Sequence, residues 1–228
     1  DGEFSFHNFS SMFLMSMLNV AFLIGCLIKM LAYGDPIVKP QTNESVRYWK
    51  HKKQSDLEFE RGNGKESNEE LIRCLQSFGI ALPMTRFERF TATTWQLTRM
   101  FLHNLWIGRF LSRRNGGLFK SEAKRSEALS SAKELSLVFH RLNQLHLSSN
   151  MKDGNGVMLS LYAMNMADAA GNSMEPEDLV EIYLIAALRI KRSYPKIFQF
   201  FCRYYLHKAK VASMKCSHIP TRLQWAFT

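Results

Sequence analysis

The chain lacks most of the features that mark enzymes and metal proteins. Its 228 residues contain four cysteines, Cys26, Cys74, Cys202 and Cys216, which are far apart and form no CxxC motif. Such spacing indicates reduced thiols and offers neither a zinc motif nor a disulfide framework. No G-x-S-x-G, Walker or dinucleotide fingerprint occurs, and none of the seven histidines has a partner at metal-ligand spacing. We therefore predict a protein that is not an enzyme and that uses no cofactor and no metal.

Charge is missing from the start of the chain. The segment 4–28 contains no Lys, Arg, Asp or Glu, and the 23 residues from Ser11 to Tyr33 carry one charge, Lys29. A helix of that length measures about 30 Å or slightly more, which matches the hydrocarbon core of a bilayer. We predict a membrane-spanning helix over residues 11–33. Its membrane-spanning side chains include Leu14, Leu18, Phe22, Leu23, Leu27 and Leu31.

A cleaved signal peptide is the competing interpretation of this segment. Signal peptides have a basic region followed by a short apolar core. Here the residues ahead of the apolar run are the acidic Asp1 and Glu3, and the run is too long. The comparison favours a spanning helix.

The distribution of charge predicts the orientation. All 30 Lys and Arg residues lie at or after Lys29, and the positive-inside rule places the basic side of a span in the cytosol. We predict a lumenal flank over 1–10, a stiff linker over 34–44 and a cytosolic helical regulatory domain over 45–228. The chain begins without Met and ends at Thr228 just after several aromatic residues. We expect a segment of a longer protein, whose domain is incomplete at its C-terminus.

The net charge of +10 has two interpretations. It fits either nucleic acid, or an acidic partner together with lipid headgroups. No zinc-finger spacing, RNA-binding signature or basic region linked to heptads is present, so we predict no nucleic-acid binding by this segment. The cluster of Arg47, Lys50, Lys52 and Lys53 suits an anionic lipid surface, although a solvated helix face would look the same.

Beyond residue 45 the pattern predicts helices only, about seven of them. One runs from Pro83 to Arg114, and the last begins at Pro195. The predicted apolar face of the helix from Pro83 to Arg114 comprises Phe87, Phe90, Leu97, Phe101 and Leu105. That of the last helix comprises Ile197, Phe198, Phe201, Cys202 and Tyr205. Short loops between amphipathic helices predict antiparallel hairpins stacked as an α-solenoid similar to tetratricopeptide repeats, with a compact bundle as the alternative.

A series of short motifs runs along the chain in a recognisable order. It comprises Tyr33-Gly34-Asp35-Pro36, Trp49 to Leu57, Leu105-Trp106-Ile107-Gly108-Arg109, Gly116-Gly117-Leu118, His140 to His146, Asn165 to Gly171, Glu181-Ile182-Tyr183, Ala186 to Lys191, Phe200-Phe201, Arg203 and Gln224-Trp225. With this order and spacing, nearly all of the chain from Leu18 onward resembles the sterol regulatory element-binding proteins (SREBPs). The matched part is their second membrane helix and the beginning of their C-terminal regulatory domain.

This resemblance implies a membrane-bound transcription factor precursor that controls sterol and lipid metabolism. In that family the regulatory domain binds the WD-repeat domain of the SREBP cleavage-activating protein, which escorts the precursor from the endoplasmic reticulum to the Golgi. Proteolysis there releases an N-terminal DNA-binding half, absent here, that acts in the nucleus. The resemblance therefore implies the endoplasmic reticulum membrane as the location, with Golgi transport and membrane lipid and the escort as partners.

We expect the partner-binding surface to use basic and aromatic residues of the late helices, because Arg and large aromatic residues dominate interface energetics. The expected residues are Arg189, Lys191, Arg192, Arg203, Tyr204 and Lys208. Three alternatives stay open: a single-pass adaptor unrelated to sterol control, a membrane enzyme of unknown chemistry, and a lipid or nucleic-acid binder that works through its basic face.

Overall fold

The chain folds into helices, as its pattern predicts. The computed structural model describes residues 2–115, 117, 121–148, 155–193, 199–216 and 223, and within them it contains no strand. The helices are α1 (Gly2–Tyr33), α2 (Asn43–Glu60), α3 (Gly64–Ser77), α4 (Arg86–Asn104), α5 (Ile107–Ser112), α6 (Glu122–Ser148), α7 (Asn155–Ala170), α8 (Pro176–Ser193) and α9 (Gln199–Ser213), with one 3-10 turn at Gly171–Ser173.

Helix α1 contains one stretch, Ser10–Tyr33, that is long and apolar enough to cross a membrane. Its most apolar 18-residue window has a mean hydropathy of 2.1, and its 24 residues correspond to about 36 Å of helix. The helix begins at Gly2, so most of the predicted flank 1–10 is helical as well. Of the predicted spanning residues Leu14, Leu18, Phe22 and Leu23 are exposed, as a lipid-facing surface requires, and Leu27 is half-buried.

The last turn of α1 packs on the folded domain. The candidate span includes the predicted residue Leu31, but the side chain of Leu31 is covered by protein. Leu31 is 2% exposed and Ala32 is fully buried, and α1 packs against the short helix α5. Leu31 therefore faces protein and does not face lipid. The predicted span ends inside a packed junction, because the helix continues without interruption from its apolar stretch into the core.

The non-helical exit that follows α1 is confirmed and is fixed to the domain. Asp35 accepts two hydrogen bonds from the guanidinium of Arg99, at 2.6 and 2.5 Å. Asn115 donates to the main-chain carbonyl of Asp35 at 2.8 Å, and the amide of Val38 donates to Ser131 at 3.2 Å. These contacts reach α4, the end of α5 and α6, so the linker has a defined path across three elements.

The predicted long helix from Pro83 to Arg114 is wrong in one respect. Its start is correct: Thr85 and Glu88 form a reciprocal capping box at the beginning of α4. However, the helix stops at Asn104 and resumes as α5 after Trp106, whose φ is +65°. Gly108 then lies so close to the backbone of Leu102 that an added Cβ would be 2.3 Å from its carbonyl carbon. The chain therefore folds back instead of continuing straight.

Helix α4 is also rotated relative to expectation. Phe87, Phe90, Phe101 and Leu105 are exposed, and Leu97 is only half-buried. The opposite side of the helix is buried instead, and it contains Gln96, Arg99, Met100 and His103. A polar face can be buried when its groups are hydrogen-bonded, and here Asp35 satisfies Arg99 while Asn165 donates to Gln96. The apolar face is left on the outside.

Helix α7 lies at the centre of the domain. It contacts α4, α5, α6 and α8, and twelve of its sixteen residues are buried. Apolar residues at helical spacing on its neighbours are buried against it or beside it: Leu135, Phe139 and Leu142 of α6, and Ile182 and Ala186 of α8.

The solenoid arrangement is not confirmed. Consecutive pairs do pack together, as α2 with α3, α6 with α7 and α8 with α9. Helix α4, however, packs on α7 and α5 more than on α3, which a simple stack of hairpins would not require. In the last helix Tyr205 is buried and Phe201 and Cys202 are half-buried, whereas the predicted start at Pro195 and the residues Ile197 and Phe198 lie outside the described residues.

Candidate partner-binding surface

The structure separates the six predicted partner-binding residues into different environments. Arg189 is 5% exposed, and its guanidinium donates to the side-chain and main-chain oxygens of Asn143 at 2.8 to 3.1 Å. A buried guanidinium with these partners stabilises the contact between α6 and α8. Arg189 therefore is not an exposed surface residue, and it reaches the candidate surface only as part of the wall of the groove described below.

Two further residues of the predicted set are engaged inside the domain. Lys208 is half-buried, forms a 3.1 Å ion pair with Asp168 and lies 5.2 Å from the centre of the Tyr183 ring. The hydroxyl of Tyr204 bonds to Asn104 and so joins α9 to the end of α4. Both side chains hold α9 in place, which limits what they can offer to a partner.

The remaining three predicted residues are exposed. Lys191 and Arg192 lie in the last turn of α8, and Arg203 lies on the outer face of α9. Arg192 also donates to the carbonyl of Leu147 at 3.3 Å. These three side chains form the basic part of the candidate surface.

Sequence reasoning missed an apolar groove between α4 and α9, which we call the α4–α9 groove. Its volume is about 320 Å³. Its lining comprises Leu97, Met100, Phe101, Val157, Ser160, Leu161, Met164, Arg189, Ile190, Phe201 and Tyr205. Phe101 is 54% exposed at its edge, and Phe200 is 59% exposed on the adjoining turn of α9. A concave apolar site with a few polar groups is a usual place for a ligand or for the anchor residue of a partner.

The groove had a partial signal in the sequence. Leu97 and Phe101 are four residues apart on α4, as are Phe201 and Tyr205 on α9, so each pair shares a helix face. Nothing in the sequence shows that the two pairs, a hundred residues apart, meet across one groove.

The predicted lipid-surface cluster lies on α2. Arg47, Lys50 and Lys53 are exposed, in agreement with a charged outer face. Lys52 is half-buried, pairs with Glu134 and lies 4.9 Å from the ring of Trp49. Three of the four side chains are thus available to an anionic surface, and Lys52 mainly joins α2 to α6.

His103, Ser112 and Asp168 form a cluster with the residue types of a catalytic triad, but His103 and Ser112 are buried. Nε2 of His103 is 2.9 Å from the hydroxyl of Ser112, and Nδ1 is 3.9 Å from Asp168. The second distance is too long for a hydrogen bond, and Ser112 is 3% exposed. Burial, together with the neighbouring positive charge of Arg99, lowers the pKa of His103 to about 3. This neutral, enclosed imidazole packs between α4, α5 and α7 and cannot receive a substrate in this geometry.

In the part of the chain that the structure describes, no three His, Cys, Asp or Glu side chains gather as a metal site would require. No protein-family model matches the chain, and no solved structure matches it.

Proposed function

We propose that this chain is the escort-binding regulatory part of an SREBP-like membrane-bound precursor. In this proposal α1 spans the endoplasmic reticulum membrane, and the domain that follows lies in the cytosol. The domain binds the WD-repeat domain of the SREBP cleavage-activating protein, which retains the precursor and later carries it to the Golgi. The output is transcriptional control of sterol and lipid metabolism by the released half.

The observation that carries the proposal is that the motifs of the resemblance bond to one another. Arg189 of one motif donates to Asn143 of another, and Gln144 donates to Glu181 at 2.6 Å. The hydroxyl of Tyr183 donates to Asp168 at 2.9 Å. Residues that depend on each other in this way belong to one structural unit. Their joint presence supports a shared domain better than the same number of isolated matches would.

The junction between α1 and the domain supports a retained membrane helix. A cleaved signal peptide leaves no trace in the folded protein. Here Leu31 and Ala32 are buried in the core, and Asp35, two residues after the helix, pairs with Arg99. Removing α1 would expose the site where its last turn packs, so we infer that the helix stays attached.

We place the escort contact on the α4–α9 groove and on the exposed basic residues nearby. Aromatic residues in a concave apolar site are typical of interface centres, and Arg is enriched there as well. A contact of this composition depends on apolar burial as well as on charge, so it tolerates salt better than a purely electrostatic one.

The test is co-purification of the full chain, in detergent or nanodiscs, with the WD-repeat domain of the escort at low and high salt. The proposal expects stoichiometric binding that persists at high salt. Replacing Phe101 by Asp should abolish binding. Replacing Phe87 by Asp should leave it intact, because Phe87 is an exposed aromatic residue at the other end of α4 that does not line the groove. Absence of binding by the folded chain, or equal effects of the two variants, would contradict the proposed interface.

The alternative is a single-pass adaptor with a helical-repeat domain unrelated to sterol control. The groove fits this function as well, since it does not depend on one partner. A chain that is inserted in membranes and folded but does not bind the WD-repeat domain would favour the alternative. A stacked, tetratricopeptide-like arrangement remains a hypothesis under either function, supported by the three consecutive helix pairs.

A further inference from the structure

The short helix α5 lies beside the end of the apolar helix. Among residues 10–33 of α1, those up to Gly25 are exposed, whereas 26–28 are half-buried and Leu31 and Ala32 are buried. The contact between α1 and α5 is therefore made by the last two turns of α1. The apolar stretch corresponds to about 36 Å, longer than a hydrocarbon core of about 30 Å. A spanning α1 thus places α5 at the level of the lipid headgroups.

The side chains that lead into α5 are suited to that level. Trp106 is 63% exposed and Ile107 is 55% exposed. Trp106 has φ +65° and ψ −43°, the conformation of a γ-turn, and the amide of Ile107 donates to the carbonyl of Leu105 at 2.7 Å. Such a strained conformation costs a non-glycine residue about 1 to 3 kcal/mol. A strained, exposed tryptophan is an unusual feature for a surface with no partner. Trp is enriched where membranes meet water, because its ring is apolar and its N–H is polar.

Four arginines surround the same turn. A pocket of about 240 Å³ is lined by Trp106, Arg109, Phe110, Arg113, Arg114 and Arg125, and no acidic residue is among them. The Nε atoms of Arg109 and Arg113 are buried and have no hydrogen-bond partner among the described residues. Such donors carry a desolvation cost that an anionic acceptor would remove.

Nearby carboxylates are already bonded elsewhere. Arg109 and Arg113 also border a separate cavity that contains Asp168 and Glu175. Asp168 accepts from Tyr183 and Lys208, and Glu175 pairs with Lys133 at 3.3 Å. The partners of Asp168 and Glu175 are therefore Tyr183, Lys208 and Lys133. We call the six residues that line the pocket at Trp106 the arginine pocket.

We propose that the arginine pocket binds the phosphate of an anionic lipid headgroup and so docks α5 on the membrane that α1 crosses. The guanidinium fork matches phosphate oxygens. A membrane lipid is the occupant because the pocket adjoins the end of α1 and because Trp106 and Ile107 project beside it. This inference rests on the proposed spanning role of α1.

The experiment uses the full chain in nanodiscs made of neutral lipid or of neutral lipid with phosphatidylserine, with brominated acyl chains as quenchers of tryptophan fluorescence. The lipid-dependent quenching should be stronger in the anionic discs. It should fall sharply in Trp106→Phe but not in Trp49→Phe, which replaces a tryptophan that is similarly exposed on α2. Circular dichroism establishes that each variant is folded.

Charge variants test the pocket itself. Replacing both Arg109 and Arg113 by Gln should lower the ratio of docked to undocked chains about 30-fold in anionic discs, at about fivefold for each basic residue near an anionic surface. The matched variant Lys65→Gln with Lys210→Gln removes two exposed charges that belong neither to the arginine pocket nor to the basic cluster of α2, and it should change little. Equal effects of the two double variants, or equal quenching in neutral and anionic discs, would overturn the proposal.

Two further measurements separate the causes of failure. Resistance to alkaline extraction reports whether α1 is inserted, independently of where α5 lies. An inserted chain whose Trp106 is not quenched refutes docking, whereas an extractable chain refutes the spanning helix and the inference with it. Inorganic phosphate is added to the chain in neutral discs. If it raises the melting temperature as much as the anionic lipid does, the pocket is a site for free phosphate and the lipid assignment is wrong.

Discussion

The ion pair between Asp35 and Arg99 gives the sharpest test of how the domain is attached to α1. Its side chains are 9% and 3% exposed, and the carboxylate receives two hydrogen bonds from one guanidinium. Replacing Asp35 by Asn keeps the shape but leaves the charge of Arg99 buried and unpaired. Breaking such a pair costs about 3 to 5 kcal/mol of unfolding free energy. For a domain of this size we expect the melting temperature to fall by about 6 to 20 °C.

The assay is unfolding of the full chain in detergent, followed by circular dichroism of the helices. The control is Arg73→Gln, which removes an arginine from a pair with Glu70 that is half exposed to solvent. That change should cost less than about 1 kcal/mol. Adding Arg99→Met to the Asp35→Asn variant should recover a large part of the loss, because no charge then remains buried. A loss in Asp35→Asn no larger than that of the control would refute the reasoning.

The remaining predictions concern the packed interior. Asn143→Ala should cost about 2 to 3 kcal/mol of unfolding free energy, because it removes the oxygen that accepts two hydrogen bonds from the guanidinium of Arg189, and chemical denaturation measures this loss. Gly108→Ala should destabilise the chain by about 3 kcal/mol in a thermal melt, since the new methyl group meets backbone of α4, whereas Gly25→Ala meets no atom within 4 Å and should be neutral. The pKa of His103 is about 3 in the folded chain and near 6.5 in the unfolded chain. The unfolding free energy should therefore be constant above pH 6.5 and fall by about 2 kcal/mol between pH 6.5 and 5, because the unfolded chain binds the extra proton. In His103→Asn this contribution to the pH dependence of the unfolding free energy should disappear.

Local periodicity was sufficient to predict some of this structure. The stripe of α6, including Leu135, Phe139 and Leu142, is buried as its spacing indicates, because the buried side of an amphipathic helix can be read from that helix alone. The turn at Gly62 was also predictable, since its φ of +80° suits glycine.

The orientation of α4 could not be predicted in the same way. Its exposed aromatic face would be the buried side in most helices. Arg99 and Gln96 occupy the interior because their partners Asp35 and Asn165 come from 64 and 69 residues away. Arg189 misled the sequence interpretation for the same reason, since a basic residue near a helix end looks solvent-exposed until its partner Asn143 is known.

The candidate surfaces are also formed by residues that are far apart in the sequence. Phe101 and Phe201 line one groove although a hundred residues separate them. The arginine pocket was partly visible, because Arg109 and Arg113 are one helical turn apart. That turn lies beside the end of α1 because the helix breaks at Trp106. The nearby Gly108 is the only sequence signal that indicates this break.

The central place of α7 has a consequence for synthesis on the ribosome. The helix that covers the buried side of α4 is made about 70 residues after Arg99, a delay of about 4 to 14 s at usual rates of translation. During that interval Gln96, Arg99 and His103 have no folded interior to enter, although α1 is already complete. The nascent domain therefore cannot complete its core until residue 170 has emerged, because α7 has not yet been synthesised. Chaperone contacts during this interval should concentrate on α4.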